Sequence, residues 1–361
     1  MEGPAGLDGQ STQSIQANST DERSSRIIAA YLVQRSDEYR RLTILRQKGW
    51  ENPAGDEFFR KQRENADKCT KSMARVFYRT MRKIGEELNQ VSNAFALGRK
   101  RAEILDLCMA PGGFLETAVR HNPGSSAVAF SLPVSDGGHA VLLPRDIKNV
   151  TKRFLDITLL AEDMGTEMAA VPADHPDADG FLPRQLPGGQ LFNLVLCDGQ
   201  VLRTHERSSY RERREATRLT ATQLALGLQH LRPGGTMILL SHKVEAWRTM
   251  KLICEFQSFS TVQLVKPRAG HTKRSSFYMI ATKVQSQHPL AVQAVKNWEA
   301  TWRTATFGSD DDYMEMMHRD EAGVEALLER FGPQFVEMAN DIWATQADAL
   351  ARAPFCSVSS Q

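Results

Sequence analysis

Apolar residues change their spacing twice along this 361-residue chain. Between residues 21 and 97 they recur at helical intervals: Ile27, Ile28, Tyr31 and Leu32, then Met73, Val76, Phe77, Met81, Ile84 and Leu88. Pro53 and Gly55 break that run. From 102 to 283 short apolar runs of strand length alternate with helix-length stretches, which predicts an α/β domain. From about His288 the strand runs stop, and Trp298, Trp302, Leu327, Leu328, Phe331, Phe335, Met338 and Trp343 suggest further helices. The first 22 residues are small and polar and are expected to be disordered. The chain thus divides into a disordered tail (1–22), an N-terminal helical region (23–98), an α/β domain (99–286) and a helical C-terminal extension (287–361). Two connections are long: 131–146, of the kind that lines sites, and 163–189, read as an exposed insertion rich in Pro, Asp and Gly.

The most specific stretch lies early in the α/β part. Residues 102–107 form an apolar strand run, followed by Cys108-Met109-Ala110-Pro111-Gly112-Gly113-Phe114 and a helix opening at Leu115. Strand, glycine turn and helix is the layout of a nucleotide-type cofactor site. Gly112 and Gly113 would let the backbone approach a ligand where a side chain would collide. Asp106, at the end of the strand, suits hydrogen bonding to a polar ligand. The plain alternative is a tight turn with no ligand, which any α/β protein contains.

The wording of the turn, D-L-x-x-A-P-G-G-F, resembles the S-adenosylmethionine loop of the FtsJ/RrmJ-like RNA 2′-O-methyltransferases. The likeness continues in order through Leu191-Phe192-Asn193-Leu194-Val195-Leu196-Cys197-Asp198-Gly199, through Arg232-Pro233-Gly234-Gly235, and through Lys266-Pro267 with the run 273–282. It extends from about Arg75 to Lys283. It implies a Rossmann-like sheet with helices on both faces, S-adenosylmethionine as cofactor, and RNA as partner. It also implies a cofactor pocket at Asp106, Gly112, Gly113, Phe114 and Asp198. Ser131 stands at the end of the second strand, where the family carries an acid, and the adenine edge falls to Asp156 or to Asp163. The family's Lys-Asp-Lys-Glu tetrad maps its Asp onto Asp198 and its first Lys onto Lys83, with Lys71, Lys100 and Arg82 as rivals. For the second Lys the family spacing lands near Leu240, and the lysine available is Lys243. Ser276 stands where the glutamate belongs. A buried lysine can share the ribose hydroxyl's proton, but a serine cannot orient it by charge. The lost acid sets beside an RNA methyltransferase an inactive scaffold that binds RNA or protein, and the near-neutral charge with the long 131–146 loop adds an enzyme methylating a small molecule.

The bulk composition narrows the rest. A net charge of +2 announces no global field for nucleic acid, so an RNA surface must be local. Two clusters qualify: Lys266, Arg268, His271, Lys273 and Arg274, and the run Arg203, Arg207, Arg211, Arg213, Arg214 and Arg218 with Tyr210 as a stacking ring. A helix with a solvated basic face reads equally well for the second. Five scattered cysteines without a C-x-x-C pair point to reduced thiols in an intracellular compartment, cytoplasm or nucleus, and to no metal site. No apolar run approaches the length of a membrane span, and no signal-peptide pattern opens the chain.

Overall fold

The computed structural model describes residues 12–67, 70–319 and 323–356. Four helices come first: α1 (Thr12–Arg35), α2 (Asp37–Trp50), α3 (Pro53–Asp67) and α4 (Lys71–Ser92). The tail expected to be disordered lies outside the described residues over 1–11, and helix α1 begins within its remainder. Helix α4 starts where Thr70 Oγ1 accepts the Met73 N–H at 3.3 Å and ends where Asn93 turns left-handed. Then follow β1 (Glu103–Asp106), α5 (Gly113–His121), β2 (Ser126–Ser131), β3 (Val150–Phe154), β4 (Phe192–Cys197), α6 (Arg211–Gln229), β5 (Leu231–His242), α7 (Trp247–Gln257), β6 (Thr261–Val265) and β7 (Ser276–Val284). Helices α8 (Pro289–Phe307), α9 (Asp310–Arg319) and α10 (Val324–Ala351) close the chain.

The strands make one seven-stranded sheet in the order β3-β2-β1-β4-β5-β7-β6. The first five run parallel, and β7 is antiparallel to both β5 and β6. The central strands are buried on both faces, which is why they read as continuous apolar runs. Alternation sorts their side chains. Leu105, Val195, Cys197, Met237, Leu239, Phe277 and Met279 join one core with residues of α1, α2, α6, α7, α8 and α10. Ile104, Leu194, Leu196, Ile238, Tyr278 and Ile280 join the other with α4 and α5.

The C-terminal helices pack onto the sheet domain. Trp302 of α8 is fully buried, and its indole N–H donates to the Thr158 carbonyl at 2.9 Å. The 163–189 connection, expected to be an exposed insertion, is partly core: Met164, Phe181 and Leu186 are buried, and Phe181 meets Phe307 and Trp302. Its few apolar residues were too widely spaced to signal this. Among the described residues Cys108, Cys197, Cys254 and Cys356 are free thiols, while Cys69 lies outside them. No described helix is long and apolar enough to cross a membrane.

Trp302→Ala should lower unfolding free energy by about 3–5 kcal/mol, because it empties a core site and removes one of the two donors to the Thr158 carbonyl, the other being Arg218. Trp50, which is 69% exposed, should cost at most about 0.5 kcal/mol when replaced by alanine. Urea denaturation of both variants checks this; equal, small losses would show that α8 is not part of the domain's core.

Candidate functional site

The carboxyl ends of the parallel strands open onto a cavity of about 560 Å³, as expected for a sheet of this winding. Cys108, Ala110 and Pro111 from the turn after β1, Ser131 at the end of β2, Asp156 beyond β3 and Asp198 beyond β4 all line it. Helix α4 supplies Met73, Val76, Phe77, Thr80 and Met81, and β5 and β7 supply Leu240 and Tyr278. Gln62 of α3 and residues 270–274 form part of its rim. Ser131, Asp156 and Asp198, far apart in sequence, are thus brought together.

Asp198 is 8% exposed, and its Oδ1 has no hydrogen-bond partner. Burial pushes its carboxyl up to about 7. Gln223 of α6 holds the following peptide from both sides: its Oε1 accepts from the Gly199 N–H at 2.8 Å, and its Nε2 donates to the Gly199 carbonyl at 3.3 Å. Asp106 stands behind the wall, with Oδ1 accepting from the Cys108 N–H at 3.1 Å and Oδ2 unpaired. Burial, and then the charge of Asp198, raise its carboxyl well above the ordinary range.

Asp156 is used differently. Its Oδ1 accepts from the Thr158 N–H and hydroxyl, each at 2.9 Å, capping the turn Ile157–Leu159. Its Oδ2 takes Nη2 of Arg211, which also reaches Glu215 Oε1 at 2.8 Å. His205 Nε2 lies 3.4 Å from the same carboxylate. Burial works against ionisation here, but the charge and hydrogen bond of Arg211 outweigh it and hold Asp156 below the usual range. Asp156, His205 and Glu215 bring possible metal-ligand atoms within 4.8 Å of one another, yet Arg211 already holds both carboxylates.

Several expected site residues lie elsewhere. A Cβ on Gly113 would meet the Tyr78 carbonyl at 2.6 Å and Met81 Cβ at 2.7 Å, so this glycine lets α5 pack on α4. Gly112, at φ +110°, needs glycine for its backbone, and its open side faces Leu143. Neither lines the cavity. Phe114 is core, edge-on to Tyr278 with centroids 5.4 Å apart. Asp163 is buried 22 and 23 residues from its partners, accepting from the N–H groups of Gln185 at 2.7 Å and Leu186 at 2.9 Å; it ties the 163–189 connection rather than a ligand. Lys83 is exposed on α4, and the cavity-facing residue one turn earlier is Thr80. Lys243 is exposed in a left-handed turn beyond β5, with its N–H donating to the Ser275 carbonyl at 3.0 Å; Leu240 takes the inward position. Ser276 is buried opposite His242 and does not line the cavity, and its carbonyl accepts from Lys266 Nζ at 2.6 Å. Burial lowers that lysine to about 7.

The two basic clusters also separate. Arg211, Arg214 and Arg218 are buried, tying α6 to Asp156, to the Gly308 carbonyl and to Thr306 Oγ1. Tyr210 donates to Asp177 at 2.8 Å. They are neither a solvated face nor an RNA surface. Lys273 and Arg274 remain at the cavity rim. Sequence reasoning missed Gln62, His139, His205 and Tyr278, all lining residues. Only His139 carried a signal, by its place within the long loop after β2.

A family model for FtsJ-like methyltransferases matches residues 83–284. The chain belongs to the FtsJ-like methyltransferase family. In this FtsJ-like methyltransferase the match leaves α1–α3 and α8–α10 outside the family's span. Solved structures similar to it include a protein described as a ribosomal RNA methyltransferase from Plasmodium falciparum, at 16% identity and TM-score 0.36, covering 56% of this chain and 96% of that one. An rRNA methylase from Streptococcus thermophilus aligns at 12% identity and TM-score 0.32, over 54% of this chain and 95% of that one. The N-methyltransferase NodS from Bradyrhizobium japonicum aligns at 13% identity and TM-score 0.34, over 55% and 96%. A search of curated proteins gives no match.

The raised carboxyl of Asp198 has a consequence for this FtsJ-like domain. Unfolded, the group titrates near 4; folded, it titrates near 7. The folded state binds the proton more tightly, so this contribution to stability is full below about pH 4 and is lost as pH rises to about 7. Asp198→Asn should therefore flatten the fall in urea midpoint between about pH 5 and 7.5. Superimposable pH profiles for the two proteins would refute the burial argument.

Proposed function

We propose that this chain binds S-adenosylmethionine in the cavity and transfers its methyl group to a 2′-hydroxyl of RNA ribose. One observation carries the reading: Asp198, at the family's aspartate position, presents an unpaired buried oxygen to the cavity and titrates near neutrality. The cavity suits the cofactor in kind. Leu155, Ile157 and Leu219 give apolar walls for a purine, Ser131 offers a hydroxyl, and the unpaired oxygen of Asp198, when ionised, favours a cationic ligand. When bound, the cofactor supplies an electrophilic methyl group on a sulfonium. The chain's residues must then hold the ribose hydroxyl in line and take its proton. A carboxylate with a pKa near the working pH is matched to that task. Lys273 and Arg274 at the rim suit the phosphates of the strand.

A second reading has its own support. Thr80 and Leu240 occupy the inward positions on α4 and β5, and no acid stands at 276. A domain that binds cofactor and RNA without transferring methyl fits those residues.

Radiolabelled S-adenosylmethionine incubated with the protein and total RNA decides between them. Label should appear on ribose as 2′-O-methyl nucleosides, and Asp198→Asn should lower the rate by about 10²-fold or more. Cofactor binding by calorimetry without any label on RNA would leave the second reading, and no cofactor binding would end both.

A further inference from the structure

Helix α4 shows the cavity a stripe that the protein itself does not bury. Met73, Val76, Phe77 and Thr80 fall at i, i+3, i+4 and i+7, so they share one helix face, and all four line the cavity. Ile84 and Leu88 further along the same helix are fully buried in the core. Val76, by contrast, is 48% exposed, and Met73 and Phe77 are only half-buried. Val201 and Leu202, from the loop that follows Asp198, bring further apolar surface to the same cavity.

The rim beside this stripe is cationic. Lys273 and Arg274 form no ion pair among the described residues. The ammonium of Lys273 lies 5.2 Å from the centre of the Phe58 ring, and Arg274 Nε donates to the neutral Gln62 amide at 3.0 Å. Arg203, by comparison, is neutralised by Asp67. Apolar walls, hydroxyl and amide groups at Thr80 and Gln62, and two uncompensated cations at the mouth together fit a flat ring carrying a phosphate. They fit neither a wholly apolar guest, which would leave the cations idle, nor a base inside a duplex, which is stacked and cannot enter.

We infer that the α4 side of the cavity is a slot for one unstacked base of single-stranded RNA, with Phe77 as the stacking ring and Lys273 and Arg274 on the flanking phosphates. The inference rests on the RNA reading above and narrows it to a nucleotide splayed out of the strand. Single-stranded RNA is commonly read in this way, by bases stacked on aromatic side chains.

The test uses the full chain and a single-stranded oligoribonucleotide carrying 2-aminopurine, whose fluorescence reports stacking. The wild type should bind it with a change in emission, and should bind a duplex of the same sequence more weakly. Phe77→Ala should weaken binding by about 5- to 100-fold, the size of one base–aromatic stack, and abolish the emission change; Phe77→Tyr should retain both. Val76→Asp, at an exposed position, should also weaken binding without disturbing the core. Lys273→Ala should weaken binding and reduce its salt dependence by about one phosphate. Circular dichroism and cofactor titration show that each variant is folded. If Phe77→Ala and Val76→Asp bind the oligonucleotide as tightly as the wild type, or if the duplex binds equally well, the slot is overturned while the RNA reading stands. If cofactor binds but no form of the protein binds RNA, the RNA reading fails and the slot with it.

Discussion

The buried guanidinium of Arg211 is the contact on which the site's geometry depends. One nitrogen holds Asp156 and Glu215 together, and Arg218, fully buried on the next turn of α6, pairs with Glu215 at 3.2 Å. Arg211 and Arg218 are set against Asp156, Glu215 and Asp177, the last 3.6 Å from Arg211 Nη1, and such pairing is the condition under which charged groups can stay inside a fold. Removing any one member would strand an uncompensated charge. The network fixes the segment after β3 to α6, and through Thr158 and Thr306 it fixes both to α8. The C-terminal extension is thereby linked to one wall of the cavity, although it lies outside the family's span.

The same network decides what remains free for ligands. It takes Arg211 and Arg218 from the arginine run whose density suggested an RNA surface, and Asp156 spends its oxygens on Thr158 and Arg211. Polar groups without an internal partner are left in two places: the unpaired carboxyl oxygens of Asp198 and, behind the wall, Asp106, and the cations Lys273 and Arg274 on the rim. The cavity is therefore lined on one side by a buried carboxyl that titrates near neutrality, Asp198, and on another by the cations Lys273 and Arg274. That arrangement suits a cationic cofactor beside the first and a phosphate-bearing acceptor beside the second.

Much of this was legible in the sequence, for a physical reason. Parallel strands covered on both faces must be apolar throughout, so β1 and β4 announce themselves, and the acids that end them mark the carboxyl edge where ligands bind. Asp198 and Ser131, read as strand ends by that logic, both line the cavity. Asp156 against Asp163 could not be settled, because residues 157–161 are apolar enough for a strand; they form a short turn that Asp156 caps, and Asp163 serves the connection behind it. Lys83 and Lys243 failed for smaller reasons of position. Lys83 sits about 4.5 Å further along the helix axis than Thr80, past the lining residues. Lys243 follows the last paired residue of β5, where a left-handed turn carries it outward. Residue type and rough spacing do not resolve shifts of that size.

The glycine turn shows why a motif and its usual explanation can part company. Gly112 and Gly113 are where a cofactor loop needs them, yet the atoms that exclude a side chain belong to Leu143, Tyr78 and Met81. The small size of Gly113 serves the approach of α5 to α4, whereas that of Gly112 leaves room for Leu143. The turn thus shapes the site by bringing a helix close, and the helix it brings close is the one that carries the unburied apolar stripe.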